Sequence, residues 1–342
     1  MKVGVFSTNL AFFNPIENAL MSRGHEVRFW QRDRDERQQA LNLGTVLGWA
    51  DVLFVEFCQE PLLDVIKNNH DNKPLFARMH RIEAFNSYTV LPEFPWDQVS
   101  GLIVSAPHVG DNFMDKRGAN SKPSEVIISR TNKVPDRFEE PRQNRRFDNP
   151  VTKVCQVGSF IPRKGQFELI EAFAEAVDKL GPDLKLDLVG GFDQGDGSYL
   201  NQYGDHQYYE FCKQRITDLS MEDHIRIYGF IPPEEIPGFL ADEDVIVSNS
   251  QDEGTHVSVA EGLLCGCYGL CRTWRGATEV YPADVCSHYS NTTEFVAELG
   301  KFICKSPQEK AEIIYESLKV AVPTYTDTST YGNIVEILEN SL

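Results

Sequence analysis

Short apolar and β-branched runs alternate along this chain with stretches of helical periodicity. Six such runs precede a polar, proline-bounded stretch that extends from about Pro135 to Pro150, and four follow it. The first six predict strands at Val3–Phe6, Glu26–Trp30, Val52–Val55, Leu75–Ala77, Gly101–Val104 and Val126–Ile128. The other four predict strands at Lys153–Val157, Lys185–Val189, Ile225–Tyr228 and Val245–Ser248. Strands that alternate with helices are typical of parallel sheets, so the pattern predicts an α/β protein with a sheet on each side of the polar stretch.

The polar stretch is interpreted as an interdomain linker. The predicted domains are therefore 1–150, a Rossmann-like domain that includes the linker, and 151–325, a second Rossmann-like domain. Residues 326–342 predict a helix, because Tyr331, Ile334, Ile337 and Leu338 have helical spacing, and we expect this helix to cross back to the first domain. Ligands of open α/β sheets lie beyond the carboxyl ends of the strands, so we expect the chemistry in a central cleft that the two domains face.

Composition argues against a membrane protein and a secreted one. The chain has 342 residues and 41% hydrophobic composition, enough for two cores, but no run approaches the roughly 18 apolar residues that span a bilayer. The start is too polar after Phe6 for a secretory signal, and the eight cysteines lack the dense spacing of a disulfide framework. We therefore expect a cytoplasmic protein without a transmembrane segment.

Three cysteines with two nearby histidines form the candidate metal site. Cys265, Cys267 and Cys271 lie close in sequence to His256 and His288. Their spacing lacks the paired C-x2-C arrangement of structural zinc sites, so we expect no metal. Most of the cysteines are interpreted as small buried apolar residues.

The net charge of −18 is unevenly distributed. Residues 1–150 carry 19 basic and 20 acidic side chains, whereas the remainder carries 14 and 31. An anionic partner would therefore bind the first half, whose arginines include Arg32, Arg34, Arg37, Arg78, Arg81, Arg142, Arg145 and Arg146. A solvated face of mixed charge is the alternative interpretation.

A glycine-containing turn after the predicted strand Lys153–Val157 is the first candidate binding element. It reads Gly158-Ser159-Phe160-Ile161-Pro162-Arg163-Lys164-Gly165 and leads into a helix. Glycine permits close approach of the backbone, a helix N-terminus attracts anions, and Lys164 adds a mobile positive charge, so the turn suits a diphosphate. It is not a P-loop, because G-x4-G-K-[ST] is missing, and a solvated basic pair is the alternative.

Two glutamates eight residues apart are the second candidate element. Glu253 and Glu261 belong to the segment Asp252–Gly262, which follows the strand Val245–Ser248. If a helix begins near Thr255, the two carboxylates are about 10 Å apart along it, a distance that suits a sugar diphosphate. A helix cap and an ordinary helix residue are the alternatives.

These segments resemble the retaining glycosyltransferases of family 4, which have the GT-B fold. The resemblance extends along the chain and includes the E-x7-E pair. The other matching segments are Arg23–Val27, Val157-Gly158 with Lys164-Gly165, Asp244–Ser248 and Gly276–Glu279. The fold class implied is thus α/β of the GT-B type, and the activity implied is transfer of a hexose or pentose from a UDP- or GDP-linked donor to a hydroxyl group.

The resemblance also implies roles for individual residues. Lys164 would bind the donor diphosphate together with Gly158, Ser159 and Arg163, and Glu261 would hold the ribose. Glu253 would contact the transferred sugar, while Gly254, Thr255 and His256, next to Val257, would grip it through backbone amides. Phe230 and Ile231 would border the base. His80, in Met79-His80-Arg81-Ile82-Glu83, would face the sugar from the other domain, although a lone histidine is equally a core residue.

The chain departs from the family pattern at several positions. Ser159 stands where the family commonly has arginine, so Arg163, Arg272 or Arg275 would have to supply that contact. The loop Ser7–Pro15 lacks the usual glycines, so Phe12 and Phe13 would give an aromatic acceptor entrance or belong to the core. Tyr268 stands where proline is usual. These differences bear on the substrate more than on the fold.

For the reaction, we expect cations and helix amides to stabilise the leaving diphosphate, so that no cofactor or divalent metal is needed. The resemblance favours same-face attack over a covalent intermediate on Glu253, and the residues alone leave both open. The acceptor is expected to be a glycan, a lipid-linked compound or another hydroxyl compound. Alternatives are transfer to a hydroxylated base in DNA, which the arginines would contact, and a non-catalytic sugar-nucleotide binder. A dinucleotide-dependent oxidoreductase lacks support, because neither domain has G-x-G-x-x-G after its first strand.

Overall fold

The computed structural model divides the chain into two compact units. Unit 1 comprises Met1–Asn132 and Thr328–Leu342, and unit 2 comprises Lys133–Asp327. The structure describes residues 1–7, 10, 12–30, 36–85, 94–116, 121–129, 134–139, 147–192, 204–326 and 329–342.

Unit 1 contains a parallel six-stranded sheet with the order β2-β1-β3-β4-β5-β6. Its strands are β1 (Lys2–Phe6), β2 (Glu26–Trp30), β3 (Val52–Glu56), β4 (Leu75–Met79), β5 (Gly101–Val104) and β6 (Val126–Ile128). Residues of β3 and β4 are buried throughout, as expected for central strands of a sheet that helices cover on both faces. The chain order reverses between β1 and β3, so the crevice of this sheet lies at their carboxyl ends.

Unit 2 contains a second parallel six-stranded sheet, with the order β12-β11-β10-β7-β8-β9. Its strands are β7 (Thr152–Val157), β8 (Leu184–Val189), β9 (Ile225–Gly229), β10 (Val245–Ser248), β11 (Tyr268–Arg272) and β12 (Cys286–Tyr289). All ten predicted strands are present. Strands β11 and β12 are not predicted from the sequence. Gly269 interrupts β11, and the polar pair Ser287-His288 lies in β12, which forms an edge of the sheet.

Helices connect the strands in both units. In unit 1 they are α1 (Asn14–Ser22), α2 (Glu36–Trp49), α3 (Glu60–Asn68), α4 (Arg81–Phe85) and α5 (Pro107–Lys116). In unit 2 they are α6 (Gln166–Leu180), α7 (His206–Asp218), α8 (Ile236–Ala241), α9 (Val257–Leu264), α10 (Ala277–Val280), α11 (Thr292–Ile303) and α12 (Pro307–Tyr325). The start of α12 is specified locally, because Ser306 and Glu309 form a capping box around Pro307 at the first helical position.

The last helix, α13 (Ser329–Glu339), belongs to unit 1. Tyr331, Ile334, Val335 and Leu338 join the apolar core that β1, β3 and α1 form. At the surface, Arg23 bonds the carboxylates of Glu336 and Glu339 at 2.9 and 3.0 Å. Residues distant in sequence therefore complete a single core.

The segment 133–150 groups with unit 2, whereas its polar composition predicts a linker counted with the first domain. Of this segment the structure describes 134–139 and 147–150. The Val134 amide donates to the Tyr325 carbonyl at 2.9 Å, and Phe138 is fully buried, with its carbonyl accepting from Cys265 Sγ at 3.3 Å. These contacts connect the start of the predicted linker to the core of unit 2.

The two parallel sheets with their helices confirm the predicted α/β fold class.

Candidate functional site

The carboxyl ends of β7 and β10 lie side by side in unit 2, where the order of the strands reverses. This is the position at which open α/β sheets bind ligands. The loop after β7 contains the predicted turn, 158–165, and the loop after β10 contains Glu253. Fold topology thus brings together two segments that are almost 90 residues apart in the sequence.

Close backbone contacts shape the turn. Gly165 has φ +68°, and a Cβ there would lie 2.4 Å from the Asn249 carbonyl oxygen. Asn249 Nδ2 in return donates to the Gly165 carbonyl at 2.6 Å. Gln156 Nε2 donates to the Lys164 carbonyl at 2.8 Å, and Gln166 Nε2 donates to that of Ser159 at 2.9 Å. Buried amide side chains therefore hold the turn against the loop that follows β10.

Glu253 is the centre of the charged contacts in this site. Its Oε1 lies 2.5 Å from Lys164 Nζ and 3.0 Å from an Arg163 terminal nitrogen. Ser250 Oγ donates to the same oxygen at 2.7 Å. The side chains of Glu253, Lys164 and Arg163 are 6%, 12% and 25% exposed, so the group is only partly accessible to water.

The charged neighbours keep Glu253 ionised. Burial alone would raise its pKa, but the positive charges of Lys164 and Arg163 lower the pKa well below the usual range of a glutamate. An Arg163 terminal nitrogen also lies 4.0 Å from a carboxylate oxygen of Asp252. Two cations and two carboxylates therefore lie together at the turn.

His256 connects the loop to α9 in a strained conformation. Its φ of +42° and ψ of +64° are left-handed, which is costly for a residue other than glycine. Tyr281 Oη donates to the carbonyls of Thr255 and His256 at 2.7 and 2.9 Å and holds this conformation. His256 Nδ1 contacts Ser248 Oγ at 2.5 Å, and burial lowers the pKa of the ring to about 3, so the ring is neutral.

Helix α9 begins at Val257, two residues later than the sequence predicted, and carries Glu261 in its second turn. Val257 and Gly254 lie at its N-terminal end, where helix amides lack intrahelical partners and favour an anion. Burial raises the pKa of Glu261 to about 7, and the positive charge of Arg137 opposes that rise. Glu261 therefore changes its charge near neutral pH.

Phe230 and Ile231 lie directly after β9, at the same edge of the sheet. Phe230 is 40% exposed, and the Gly229 carbonyl accepts from the Gly190 amide at 2.8 Å. Gly190 has no room for a side chain, since a Cβ would lie 2.0 Å from the Gly158 carbonyl oxygen. The loops after β7, β8 and β9 are thus packed tightly against one another.

In unit 1, His80 lies at the end of β4, in the crevice at the carboxyl ends of the strands. Its Nε2 lies 2.5 Å from Glu56 Oε1. Its backbone amide donates to Glu83 Oε2 at 2.7 Å, and burial raises the pKa of Glu83 to about 7. Phe12 is 44% exposed and contacts the His80 ring, whereas Phe13 is a core residue. The sequence predicts His80 as a site residue but does not predict its carboxylate partner, Glu56.

The cysteines and arginines singled out from the sequence have other environments. Cys265 and Cys267 are buried and donate through sulfur to backbone carbonyls. In the described part of the chain no group of three metal-ligating side chains is found. Arg78 is buried against Glu56 and contributes nothing to a basic surface. Five other arginines lie outside the described residues: Arg32, Arg34, Arg142, Arg145 and Arg146.

A family model described as glycosyl transferases group 1 matches residues 137–317, more than half of the chain. The chain belongs to this family. The matched region contains the turn, Glu253, α9 and Glu261. The residues predicted to bind the donor in this part of the chain therefore lie within it.

A curated relative is the GDP-mannose-dependent alpha-(1-6)-phosphatidylinositol monomannoside mannosyltransferase of Mycolicibacterium smegmatis, 33% identical over 133 residues. Mannosylfructose-phosphate synthase of Agrobacterium fabrum is 27% identical over 128 residues. These two matches cover 38% and 36% of this chain. They cover 30% and 26% of the length of the two relatives.

Solved structures resemble the whole chain. Anabaena HepE in complex with UDP matches with a TM-score of 0.73 at 18% identity, over 100% of both chains. Sucrose-phosphate synthase from Thermosynechococcus elongatus matches with a TM-score of 0.74 at 12% identity, over 99% of this chain and 98% of the other. These similarities establish the fold and confirm the GT-B class.

None of the helices in the described ranges has the length and apolarity that crossing a bilayer requires.

Several residues of the site were not predicted. Three of them lie at or directly after the end of β10. Ser248 contacts His256, Asn249 contacts the turn, and Ser250 contacts Glu253. Tyr281 holds the His256 backbone from a segment beyond β11. A polar triplet at the end of an otherwise apolar strand was a usable signal for the first three. Tyr281 had no such signal, because its role depends on tertiary contact alone.

Proposed function

We propose that this group 1 glycosyl transferase is a retaining, metal-independent enzyme of glycosyltransferase family 4. It transfers a hexose or pentose from a UDP- or GDP-linked sugar to a hydroxyl compound. The observation that carries the proposal is the convergence of Lys164, Arg163 and the N-terminal end of α9 on Glu253 at the switch point of unit 2. This arrangement combines an anion site with a carboxylate suited to sugar hydroxyls.

The donor would use the residues that the structure brings together. Lys164 and Arg163 bind the diphosphate. Arg163 replaces the arginine that the family commonly has at the position of Ser159. Glu253 accepts hydrogen bonds from the transferred sugar, beside the amides of Gly254, Thr255 and His256. Glu261 accepts from the ribose hydroxyls in its ionised form. Phe230 and Ile231 border the base, where an exposed aromatic ring is available for stacking.

In the proposed reaction the bond between the anomeric carbon and the diphosphate oxygen breaks. The acceptor oxygen bonds to the same face of that carbon, and its proton passes to the leaving phosphate oxygen. The contacts of Glu253 favour this path over a covalent intermediate, because Lys164, Arg163 and Ser250 all bond to Oε1 and reduce its nucleophilicity. The two cations neutralise negative charge on the leaving diphosphate, as a divalent metal would otherwise do.

The names of similar proteins support both uridine and guanosine donors. The mycobacterial mannosyltransferase is named as GDP-mannose-dependent, and HepE was crystallised with UDP and glucose. The identity to the mannosyltransferase extends over 133 residues and the match to HepE over the whole chain, so both nucleotides belong in the test. The acceptor is proposed as a glycan, lipid-linked compound or other alcohol.

Thermal unfolding with a panel of UDP- and GDP-sugars in excess EDTA tests the donor site. A ligand at 100 times its Kd stabilises by about 2.7 kcal/mol, so the correct donor should raise the Tm by several degrees. Lys164→Ala should abolish the shift, and Lys179→Ala, at an exposed lysine of α6 paired with Glu175, should retain it. Incubation with an α-linked donor and analysis of the product anomer by NMR test retention. A β-linked product, or a Tm shift that requires a divalent metal, contradicts the proposal.

A further inference from the structure

A buried ion pair lies behind His80 in unit 1. Glu56, the last residue of β3, is paired in register with Arg78 of β4. Arg78 Nε donates to both carboxylate oxygens, at 2.9 and 3.0 Å, and a terminal nitrogen lies 2.8 Å from Oε1. The two side chains are 0% and 2% exposed. Both oxygens of Glu56 therefore act as acceptors.

His80 bonds to the same carboxylate. Side chains two residues apart on a strand share a face, so His80 follows Arg78 on the side that Glu56 occupies. Its Nε2 lies 2.5 Å from Glu56 Oε1. An arginine side chain has only hydrogen-bond donors, so both oxygens of Glu56 act as acceptors toward Arg78. The hydrogen in the contact between Glu56 and His80 therefore belongs to His80 Nε2. A neutral imidazole has one N–H, so Nδ1 is left with a lone pair.

Two phenyl rings fix the orientation of the imidazole. Phe57 stacks on it with centroids 4.2 Å apart and planes at 25°, and Phe12 approaches to 4.9 Å. The phenyl centroids are only 6.1 Å apart, so the rings lie on adjacent sides of His80 rather than on opposite faces. Phe57 adopts φ +70°, a strained backbone for a bulky residue, and this turn directs its ring onto His80.

The exposed part of His80 is therefore restricted. Its side chain is 15% exposed, and Nε2 is occupied by Glu56. Across the described ranges, no hydrogen-bond partner of Nδ1 is found. The ring thus has a fixed plane, an occupied donor and one acceptor atom that remains for a ligand.

We infer that Glu56 is a positioning residue that fixes His80 as the Nε2–H tautomer, so that Nδ1 accepts a hydrogen bond from a hydroxyl group of the bound substrate. The inference rests on the proposed function, since it assigns a substrate contact to His80. Arg78 has an indirect part, because it keeps Glu56 an acceptor. No proton is transferred in this contact.

The first test is NMR of protein labelled with nitrogen-15 in histidine, at about pH 8.5, where a histidine is ordinarily neutral. The signals of His80 are identified by their loss in His80→Gln. We expect the wild type to show only the Nε2–H form. A wild-type population of the Nδ1–H form overturns the inference, and this measurement needs no other variant to fold.

The second test removes the carboxylate without leaving a buried charge. Glu56→Met combined with Arg78→Met replaces the whole ion pair with apolar side chains, which is often tolerated, whereas removing one partner is strongly destabilising. In this double variant the Nδ1–H form of His80 should appear. Its kcat should fall on the order of 10- to 100-fold, the range seen when a carboxylate that orients a functional histidine is lost, with a donor KM changed less than about threefold.

A cycle with His80→Gln separates positioning from a structural role. Adding the Glu56→Met and Arg78→Met substitutions to His80→Gln should cause no further fall in kcat, because Glu56 acts through His80. A further fall of the same size would overturn the inference. If no nucleotide sugar supports transfer, the proposed function fails, while the tautomer measured by NMR still decides whether Glu56 fixes His80.

Discussion

A buried pair of carboxyl groups in unit 2 should make the protein less stable as the pH rises. Asp187 lies in β8, and Glu243 lies two residues before β10, close enough to Asp187 for the two carboxyl groups to interact. Burial, followed by the charge of Asp187, raises the pKa of Glu243 to about 9. Burial also raises the pKa of Asp187. A shared proton is therefore retained at neutral pH.

The sign follows from the direction of the shift. The pKa of Glu243 is raised above the ordinary value of 4.5, so its contribution to stability is complete below pH 4.5 and is lost as the pH rises toward 9. Each pH unit within this window costs about 1.4 kcal/mol. At pH 7 the loss is on the order of 3 kcal/mol, and near pH 5 it is below about 1 kcal/mol.

Glu243→Gln removes the titration and keeps a donor for Asp187, so the variant should be more stable than the wild type at neutral pH. With roughly 2–4 °C per kcal/mol for a domain of this size, its Tm should be higher by up to roughly 6–12 °C at pH 7. Near pH 5 the difference should almost vanish.

Thermal unfolding of both proteins from pH 5 to pH 9 measures this difference. Glu222→Gln, at an exposed glutamate, is the matched control and should follow the wild type across the series. A Tm difference between Glu243→Gln and the wild type that stays constant with pH would refute the reasoning, because it would show that Glu243 does not titrate in this window.

Three further outcomes are expected. Binding of the nucleotide sugar should tighten about tenfold between pH 6 and pH 8, as Glu261 ionises around its pKa of about 7, and calorimetry of Glu261→Gln should show no such gain. Lys164→Met should weaken donor binding roughly 10- to 100-fold in the same assay, the value of a charge-assisted hydrogen bond; an unchanged Kd would place the diphosphate elsewhere. Gly165→Ala should lower the free energy of unfolding in urea more than Gly229→Ala, since both positions have positive φ but only Gly165 also meets the Asn249 carbonyl, and equal losses would argue against that packing.

The sequence predicted most of the framework, because the central strands are continuous apolar runs that helical segments separate. It failed at β12, an edge strand whose residues are half polar, and at the boundary near Pro135. There the polar composition concealed a single anchor, Phe138, whose burial depends on a partner more than 100 residues away.

The residues of the site were predictable to different degrees. The sequence motifs indicated Lys164 and Glu253, but their proximity depends on the strand order, which makes β7 and β10 neighbours. Glu56 was not predicted, since a glutamate at the end of a strand is unremarkable until the register of β3 and β4 places it beside Arg78. The strain at Phe57 and His256 is likewise a property of the folded backbone, which local propensity opposes.

The position of α13 affects the order in which the chain can fold during synthesis. Unit 2 is one continuous stretch, Lys133–Asp327, and all of it is translated before α13. Unit 1 lacks Tyr331, Ile334, Val335 and Leu338 from its core until then. The strands of unit 1 therefore remain incompletely buried throughout translation of unit 2, so the unit whose strands are made earlier completes its core later.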